Sequence, residues 1–549
     1  MAGNHKYPPL PFYNIFLLKE LSTTVVSRVS ADLIKLQRSP RDFARWQKAQ
    51  QQLIGERYSL AVSSYRELVS RFPGVEQLWF ELGIASAGEL DFKLAQEAFA
   101  RATQLGAKDA ALLVLIGQQY HRLRRTDQAR ACFEGAVKAD PSSAHARLSL
   151  AAWYERERRL DDAWVSAEAC LAQHPQNQQV LCVKALLLHR KNLNSEAEVL
   201  LRDIIKRDAP DANVRVSSRH LLGLVLDQLG QFAEAIRWLC ESKSVLRQTA
   251  NVAKMERDYD QADRNRRALL GSLTTETLRR WREQAVPPKL SSQLVLLGGH
   301  PRSGTTLLEQ ILGAHPAIVA IDESEAFAQE IWHPLAPVQP GRTLGLQEAN
   351  NLPTPQLTRM RERYLKSLLR ETDADLSGRV LVDKNPSPTA ALHLGLRVFP
   401  EMKTIIALRD PRDVVISCFF QNLMLTPANS NFLSLDRTAK HYSDLMDVWL
   451  RLRDLGGFSW IESRYEDLVK DPEAEGRRVT EFCGLSWHDN QRNHQEAVRK
   501  KILFAPTFSD VAQPVHQRAV GRWGKYAEAL APLQSRLAPY CTALGYAGS

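Results

Sequence analysis

The sequence predicts two architectures in one chain: an all-helical repeat solenoid, then an α/β domain with a central parallel sheet. Three observations predict it. Small residues recur at Ala61, Ala95, Ala129, Ala163 and Ala197, each 34 positions after the last, and Ala235 follows after a four-residue insertion. Beyond about residue 290, apolar runs "QLVLLGG", "RVLVDK" and "KTIIALRD" alternate with helical patterns, as parallel strands covered by helices do. The first run ends in a glycine-rich turn and passes into an amphipathic stretch, so a strand delivers a loop to a helix N-terminus.

Composition bounds the reading. With 549 residues, 44% apolar and 24% charged, the chain is an ordinary globular composition with room for two cores. The formal charge of +10 suits nucleic acid, an acidic surface or an anionic small molecule. The cations are spread along the chain, which disfavours a nucleic-acid arm. Seven cysteines are scattered singly with no C-x-x-C spacing, against a disulfide framework or a structural zinc site and in favour of a reducing, cytoplasmic location. The short apolar patch "FYNIFLL" lacks the layout of a secretory signal, and no run approaches the roughly 20 apolar residues of a membrane helix, so no transmembrane segment is expected.

Taken in order, residues 1–41 read as an N-terminal helical segment and 42–245 as about six repeats. A second series, Gly83, Gly117, Ala151, Ala185 and Gly223, keeps the period, Phe99, Phe133, Tyr120 and Tyr154 fill bulky positions, and Pro73, Pro141, Pro175 and Pro210 close several units. These residues resemble the tetratricopeptide repeat, in which small side chains let two helices approach and aromatic ones fill the gap between neighbours. Stacked repeats present an extended concave face, so a peptide or partner protein is the expected ligand; the alternative is packing against the chain's own C-terminal half. Residues 246–292 read as a charged helical linker ending in "PPKLSSQ", and 293–549 as the α/β domain.

The loop carries the chemistry. From Gly299 to Thr306 the sequence fits G-x-x-x-x-G-K-[ST] except that Thr305 stands at the lysine, and the cation has moved forward to Arg302. Backbone N–H groups of the turn and the helix N-terminus suit a phosphate. Without the lysine, a kinase or nucleotide triphosphatase is the weaker reading, to be recognised by magnesium-dependent turnover of ATP. "PRSGTTL" resembles the 5′-phosphosulfate loop of sulfotransferases that use 3′-phosphoadenosine 5′-phosphosulfate (PAPS). That resemblance implies donor contacts at Arg302, Ser303, Gly304, Thr305 and Thr306. In "ALRDPRDVVISCFF", Arg409 and Ser417 resemble the pair that contacts the donor's 3′-phosphate; alternatively Arg409 is solvated and Asp410 and Asp413 pair with Arg412.

Further segments are most similar to the tyrosylprotein sulfotransferase branch and its bacterial relatives carrying tetratricopeptide repeats. After "GAHPAIVAID", the acidic pair Asp322 and Glu323 matches the branch's pair whose second member is the catalytic base, and Lys384 in "DKNP" matches its strand-end lysine. In "PTFSDVAQPVHQRAVGRW", Thr507 falls where the branch has a serine and Arg522 at a basic position of the segment closing over the donor. "YEDLVKDP" is also similar, reading as a strand end and helix start with Asp467 and Lys470 in solvent. The resemblance implies PAPS as donor, adenosine 3′,5′-bisphosphate as product, a hydroxyl acceptor that includes protein tyrosine, and no metal.

The residue types allow in-line transfer, with Glu323 as base and Arg302 and Lys384 stabilising the bridging and sulfuryl oxygens. Alternative bases are His300 and Glu325; His315, before Pro316, reads as a turn residue. A scaffold that has lost activity and acts through its repeats is the third reading, set against intact candidates at every motif. Because all candidates follow residue 293, a piece starting near Leu290 is expected to hold the whole donor site.

Overall fold

The computed structural model describes residues 30–285, 293–336, 344–372, 374, 376, 378–495 and 515–546. The chain divides near Val245 into two compact units.

The first unit is helical throughout its described length. After a helix at Ala31–Arg38, consecutive helices form six pairs, from Pro40–Ile54 with Tyr58–Arg71 to Ala212–Gln228 with Phe232–Thr249. The periodic residues explain the pairing. Ala61, Ala95, Ala129, Ala163, Ala197 and Ala235 are all fully buried. A Cβ added to Gly83 would lie 2.4 Å from Phe99 Cε1, and one added to Gly117 would lie 2.9 Å from Phe133 Cε1, so these helices meet where only hydrogen fits. The turn inside each pair repeats as well: Glu56, Leu90, Arg124, Arg158, Asn192 and Gly230 all have positive φ, between 56° and 78°. Each ends its first helix in the left-handed region, as when Arg124 N–H donates to His121 O at 3.0 Å and Arg125 N–H to Tyr120 O at 2.8 Å. The repeat is thus written in backbone geometry as much as in residue identity.

In the second unit, α1 (Val252–Ser272) and α2 (Thr275–Glu283) precede a five-stranded sheet. The strands are β1 (Gln293–Gly299), β2 (Ile318–Asp322), β3 (Val380–Lys384), β4 (Lys403–Leu408) and β5 (Trp460–Arg464). All pairings are parallel, in the order β2-β3-β1-β4-β5. The covering helices include α3 (Thr305–Gly313), α4 (Thr354–Arg370), α5 (Pro411–Phe419) and α6 (Leu435–Leu455). Strands β1, β3 and β4 are buried apolar runs: Val295, Leu297, Val382, Ile405 and Ala407 pack with Leu308, Ile311 and Leu312 of α3, whereas edge strand β5 (WIESR) is only partly buried.

The segment 246–292, where described, is helical and packs within this unit. Arg267 of α1 pairs with Asp444 and Asp447 of α6, both at 2.7 Å, and Arg437 of α6 with Asp260 at 3.0 Å. Tyr259, Leu269, Leu270, Leu273, Leu278 and Trp281 are all buried. Trp281 of α2 donates its indole N–H to Asn350 Oδ1 at 2.8 Å.

β1 and β4 are neighbours whose chain connections leave in opposite directions, to β2 on one side and to β5 on the other. Such a reversal opens a crevice beyond the strand C-termini. The registers bring those ends to one edge: Asp322 lies beside Lys384, Lys384 beside Leu297, and Gly299 beside Ala407.

Candidate functional site

The loop after β1 takes its shape from three residues of positive φ: Gly299 at 126°, Arg302 at 74° and Gly304 at 91°. The two glycines are required by space as well as by φ. A Cβ on Gly299 would sit 2.4 Å from Ala407 O, and one on Gly304 would sit 2.6 Å from Tyr465 Cδ2. Gly299 N–H donates to Thr389 Oγ1 at 2.8 Å, which fixes the loop's entry. Gly304 is then the N-cap of α3, and Ser303, Thr305 and Thr306 are buried at its N-terminus. That terminus gathers N–H groups with partial positive charge, an anion site in itself.

Arg302 is half-buried and its Nε–H donates to Ser417 Oγ at 3.1 Å. Residues expected at the two phosphate ends of one donor therefore touch. Arg409, just past β4, is 6% exposed, and its Nη1–H donates to Arg302 O at 3.3 Å. Its guanidinium also donates to Ala519 O, stacks 4.9 Å from the Tyr465 ring centroid and lies 3.7 Å from Asp413. Its buried Nε has no hydrogen-bond partner. A buried guanidinium N–H without an acceptor costs free energy unless a ligand supplies one. Of the acidic neighbours, Asp410 pairs with Arg412 at 2.6 Å, whereas Asp413 accepts N–H groups of Gly521 and Trp523 at 2.8 and 2.7 Å. Asp413 thereby ties the segment carrying Arg522 to α5, and Arg522 stacks on Phe420 at 4.4 Å. Thr507 lies outside the described residues.

Across the crevice, Lys384 is 0% exposed. Its ammonium contacts Asp322 and lies 3.1 Å from Glu323 Oε1. Burial works against this charge, but Glu323, Asp322 and Glu309 outweigh it, and the lysine pKa lies above its ordinary value. Glu323 is held in a left-handed turn at φ 51°, where its N–H donates to Lys384 O at 2.7 Å. Its side chain remains 44% exposed, so its carboxylate is open to a ligand while Asp322 is closed off. Asn385 donates to Ser324 O at 2.8 Å and locks the two strand-end turns together.

The alternative bases sit differently. His300 is fully buried, with Nδ1 at 2.8 Å from Pro301 O and Nε2 at 2.9 Å from His441 Nδ1, so it cannot meet an acceptor in solvent. His315 accepts Ala317 N–H and reaches Ser486 O at 3.0 Å, a turn brace. Asp467 and Lys470 are exposed. Thr389 and Tyr465 shape the loop from 90 and more residues away, and nothing local in the sequence marks Thr389. Among the described residues no group of three or more His, Cys, Asp and Glu side chains is arranged to hold a metal, and no helix is long and apolar enough to cross a membrane.

Known proteins match both halves. Residues 295–489 match the sulfotransferase family model, and residues 110–143 match the tetratricopeptide repeat model. Over 263 residues the chain is 26% identical to Protein-tyrosine sulfotransferase A of Caenorhabditis elegans, covering 47% of this chain and 68% of that one. It is 25% identical over 260 residues to Protein-tyrosine sulfotransferase 2 of Gallus gallus, covering 46% and 69%. An uncharacterized protein of Aquifex aeolicus is 26% identical over 345 residues, 61% of this chain but only 43% of that longer one. Among solved structures, the sulfotransferase domain of the Synechococcus PCC 7002 olefin synthase is 21% identical over 44% of this chain and 90% of its own, with a TM-score of 0.29. The α/β half thus resembles the protein-tyrosine sulfotransferases, and the helical half the tetratricopeptide-repeat proteins.

Proposed function

We propose that this protein transfers the sulfuryl group of PAPS to a hydroxyl acceptor. The observation that carries the reading is the convergence at one sheet edge of a phosphate-shaped loop, a buried Arg409 with an unpartnered Nε, and an accessible carboxylate braced by a buried lysine. The loop amides with Ser303, Thr305 and Thr306 would hold the 5′-phosphate. Arg409 and Ser417 would hold the 3′-phosphate, with Arg522 and, by the resemblance, Thr507 as further donor contacts. Glu323 takes the acceptor's proton as the acceptor oxygen bonds to sulfur, and the bond from sulfur to the bridging oxygen breaks. The electron pair leaves on the 5′-phosphate, where Arg302 and Lys384 oppose the growing charge. Thr305 in place of a lysine removes the cation a triphosphatase sets between its last phosphates.

Protein or peptide tyrosine is the first acceptor to test, since relatives of the α/β half are named for it, and the repeats are the element proposed to present it. Seven cysteines, none of them in a disulfide, support a reducing, cytoplasmic setting. Incubation with sulfur-labelled PAPS and a panel of tyrosine peptides, saccharides and phenols should yield a labelled acceptor without added metal. Magnesium-dependent ATP turnover with no sulfuryl transfer would overturn the proposal.

A further inference from the structure

His300 stands inside the phosphate loop, is wholly buried, and takes no part in the chemistry above. Its ring is engaged at both nitrogens. Nδ1 lies 2.8 Å from the carbonyl of Pro301, the next residue of the loop, and a carbonyl only accepts, so Nδ1 carries the hydrogen. Nε2 lies 2.9 Å from His441 Nδ1 on α6. Burial lowers the pKa of both imidazoles, to about 4 at His300, so both are neutral and one proton must serve the bond between them. With His300 Nδ1 already protonated, that proton belongs to His441, whose Nδ1–H donates to His300 Nε2. His441 is itself held: its ring stacks on Tyr259 of α1 at 5.5 Å and 28°, and meets Phe432 edge-on at 5.0 Å. Cys418 Sγ adds a second contact to Pro301 O at 3.5 Å.

We infer that His300 is a positioning residue: its Nδ1–H, in the tautomer that the Pro301 carbonyl requires and the His441 Nδ1–H complements, holds that carbonyl so that the peptide entering Arg302 keeps the left-handed turn the donor site needs. The inference rests on the loop being the donor's phosphate site, but its geometry does not. Arg302 adopts φ 74° without being glycine, a conformation that persists only when its surroundings enforce it. The Pro301 carbonyl is the group immediately before that strained residue. Through Tyr259, α1 also bears on the loop by way of two side chains, which gives the segment following the repeats a physical connection to the donor site.

The test uses side-chain amides that copy one ring nitrogen each, in the full-length protein. In H300N the amide stands where Nδ1 stood and can still donate to Pro301 O; in H300Q it stands where Nε2 stood and cannot. Hydrogen exchange of loop peptides covering residues 300–306 reads the loop without any ligand. It should be near wild type in H300N and clearly faster in H300Q. Affinity for adenosine 3′,5′-bisphosphate, measured by calorimetry, should fall about tenfold in H300Q and about threefold or less in H300N, the range set by losing one buried hydrogen bond. Nitrogen NMR of histidine-labelled wild type should show the Nδ1–H tautomer at His300. Equal exchange and equal affinity in the two amide variants, or an Nε2–H tautomer in wild type, overturns the inference. Wild type that binds no bisphosphate while the exchange split and tautomer hold would instead sink the functional reading and leave the loop's positioning by His300 intact.

Discussion

Replacing Arg409 by Gln removes a guanidinium whose buried Nε lacks an acceptor. If the 3′-phosphate of adenosine 3′,5′-bisphosphate supplies that acceptor, the intact protein should bind it more tightly than ADP, which has no 3′-phosphate. A charge-assisted hydrogen bond contributes about 1.5 to 3 kcal/mol, so R409Q should weaken bisphosphate binding by roughly ten- to a hundredfold and ADP binding by much less. The substitution also touches stability, because burial pushes the Asp413 pKa up and Arg409 is the leading influence that lowers it. Asp413 keeps its bonds from Gly521 and Trp523, so the stability loss should be about 1 to 2 kcal/mol and the variant should stay folded. Calorimetry with both nucleotides on wild type and variant decides the matter, after a denaturation curve has shown the variant folded at the assay temperature. Equal affinity of wild type for the two ligands, or equal loss for both in R409Q, refutes the assignment of Arg409 to a 3′-phosphate.

The exposed Glu323 carboxylate predicts that E323Q keeps bisphosphate affinity while turnover falls about 10²- to 10⁴-fold in a single-turnover assay; unchanged turnover would place the base elsewhere. Asp383, wholly buried with Oδ1 unpartnered and Oδ2 accepting from Tyr364 at 2.6 Å, has its pKa raised by burial from 3.8 to about 7. A carboxyl that holds its proton longer folded than unfolded lowers stability as pH rises through that window, and D383N should flatten the fall by up to about 4 kcal/mol in denaturant titrations between pH 4 and 8. In the solenoid, G83V should destabilise by about 1 to 3 kcal/mol, read as a lower melting temperature, because its Cβ would meet the Phe99 ring at 2.4 Å. A piece starting near Leu290 should be insoluble or unfolded by circular dichroism, whereas one starting at Leu246, which keeps the buried α1 and α2, should fold and bind the bisphosphate.

That last expectation differs from what composition alone suggests, and the reason is physical. Residues 246–292 read as a linker because α1 is rich in charge, yet part of that charge is tied up in ion pairs with a neighbouring helix. Asp263, at 5% exposure, lies between Arg266 and Arg267, and Arg267 reaches on to Asp444 and Asp447. A polar helix docked by ion pairs and a polar helix in water have the same sequence signature; only the partner helix, some 180 residues later, tells them apart. The repeats were legible because a 34-residue period samples the same packing decision again and again. Strands β1, β3 and β4 were legible because their burial leaves continuous apolar runs. The left-handed turn in each pair was not, since glycine occupies it only at Gly230 and Glu, Leu, Arg and Asn fill it elsewhere.

The site divides along the same line. Residues whose role depends on neighbours in sequence, the loop from Gly299 to Thr306 and the strand-end positions Glu323, Lys384 and Arg409, could be placed from their runs alone, because a parallel sheet brings every strand's C-terminus to one edge. Residues whose role depends on what lies across the sheet could not. Thr389 receives the Gly299 N–H, Asp413 latches the segment at Gly521 to Trp523, and His441 reaches His300. Each meets its partner at a sequence separation of 90 or more residues. These partners hold backbone in place and, on the geometry described, touch no donor atom. If the donor site lies where proposed, substituting them should therefore act through loop order, with exchange rates and bisphosphate affinity moving together. Substituting Glu323 should move turnover alone, which separates groups that react from groups that hold them without any appeal to distance from the substrate.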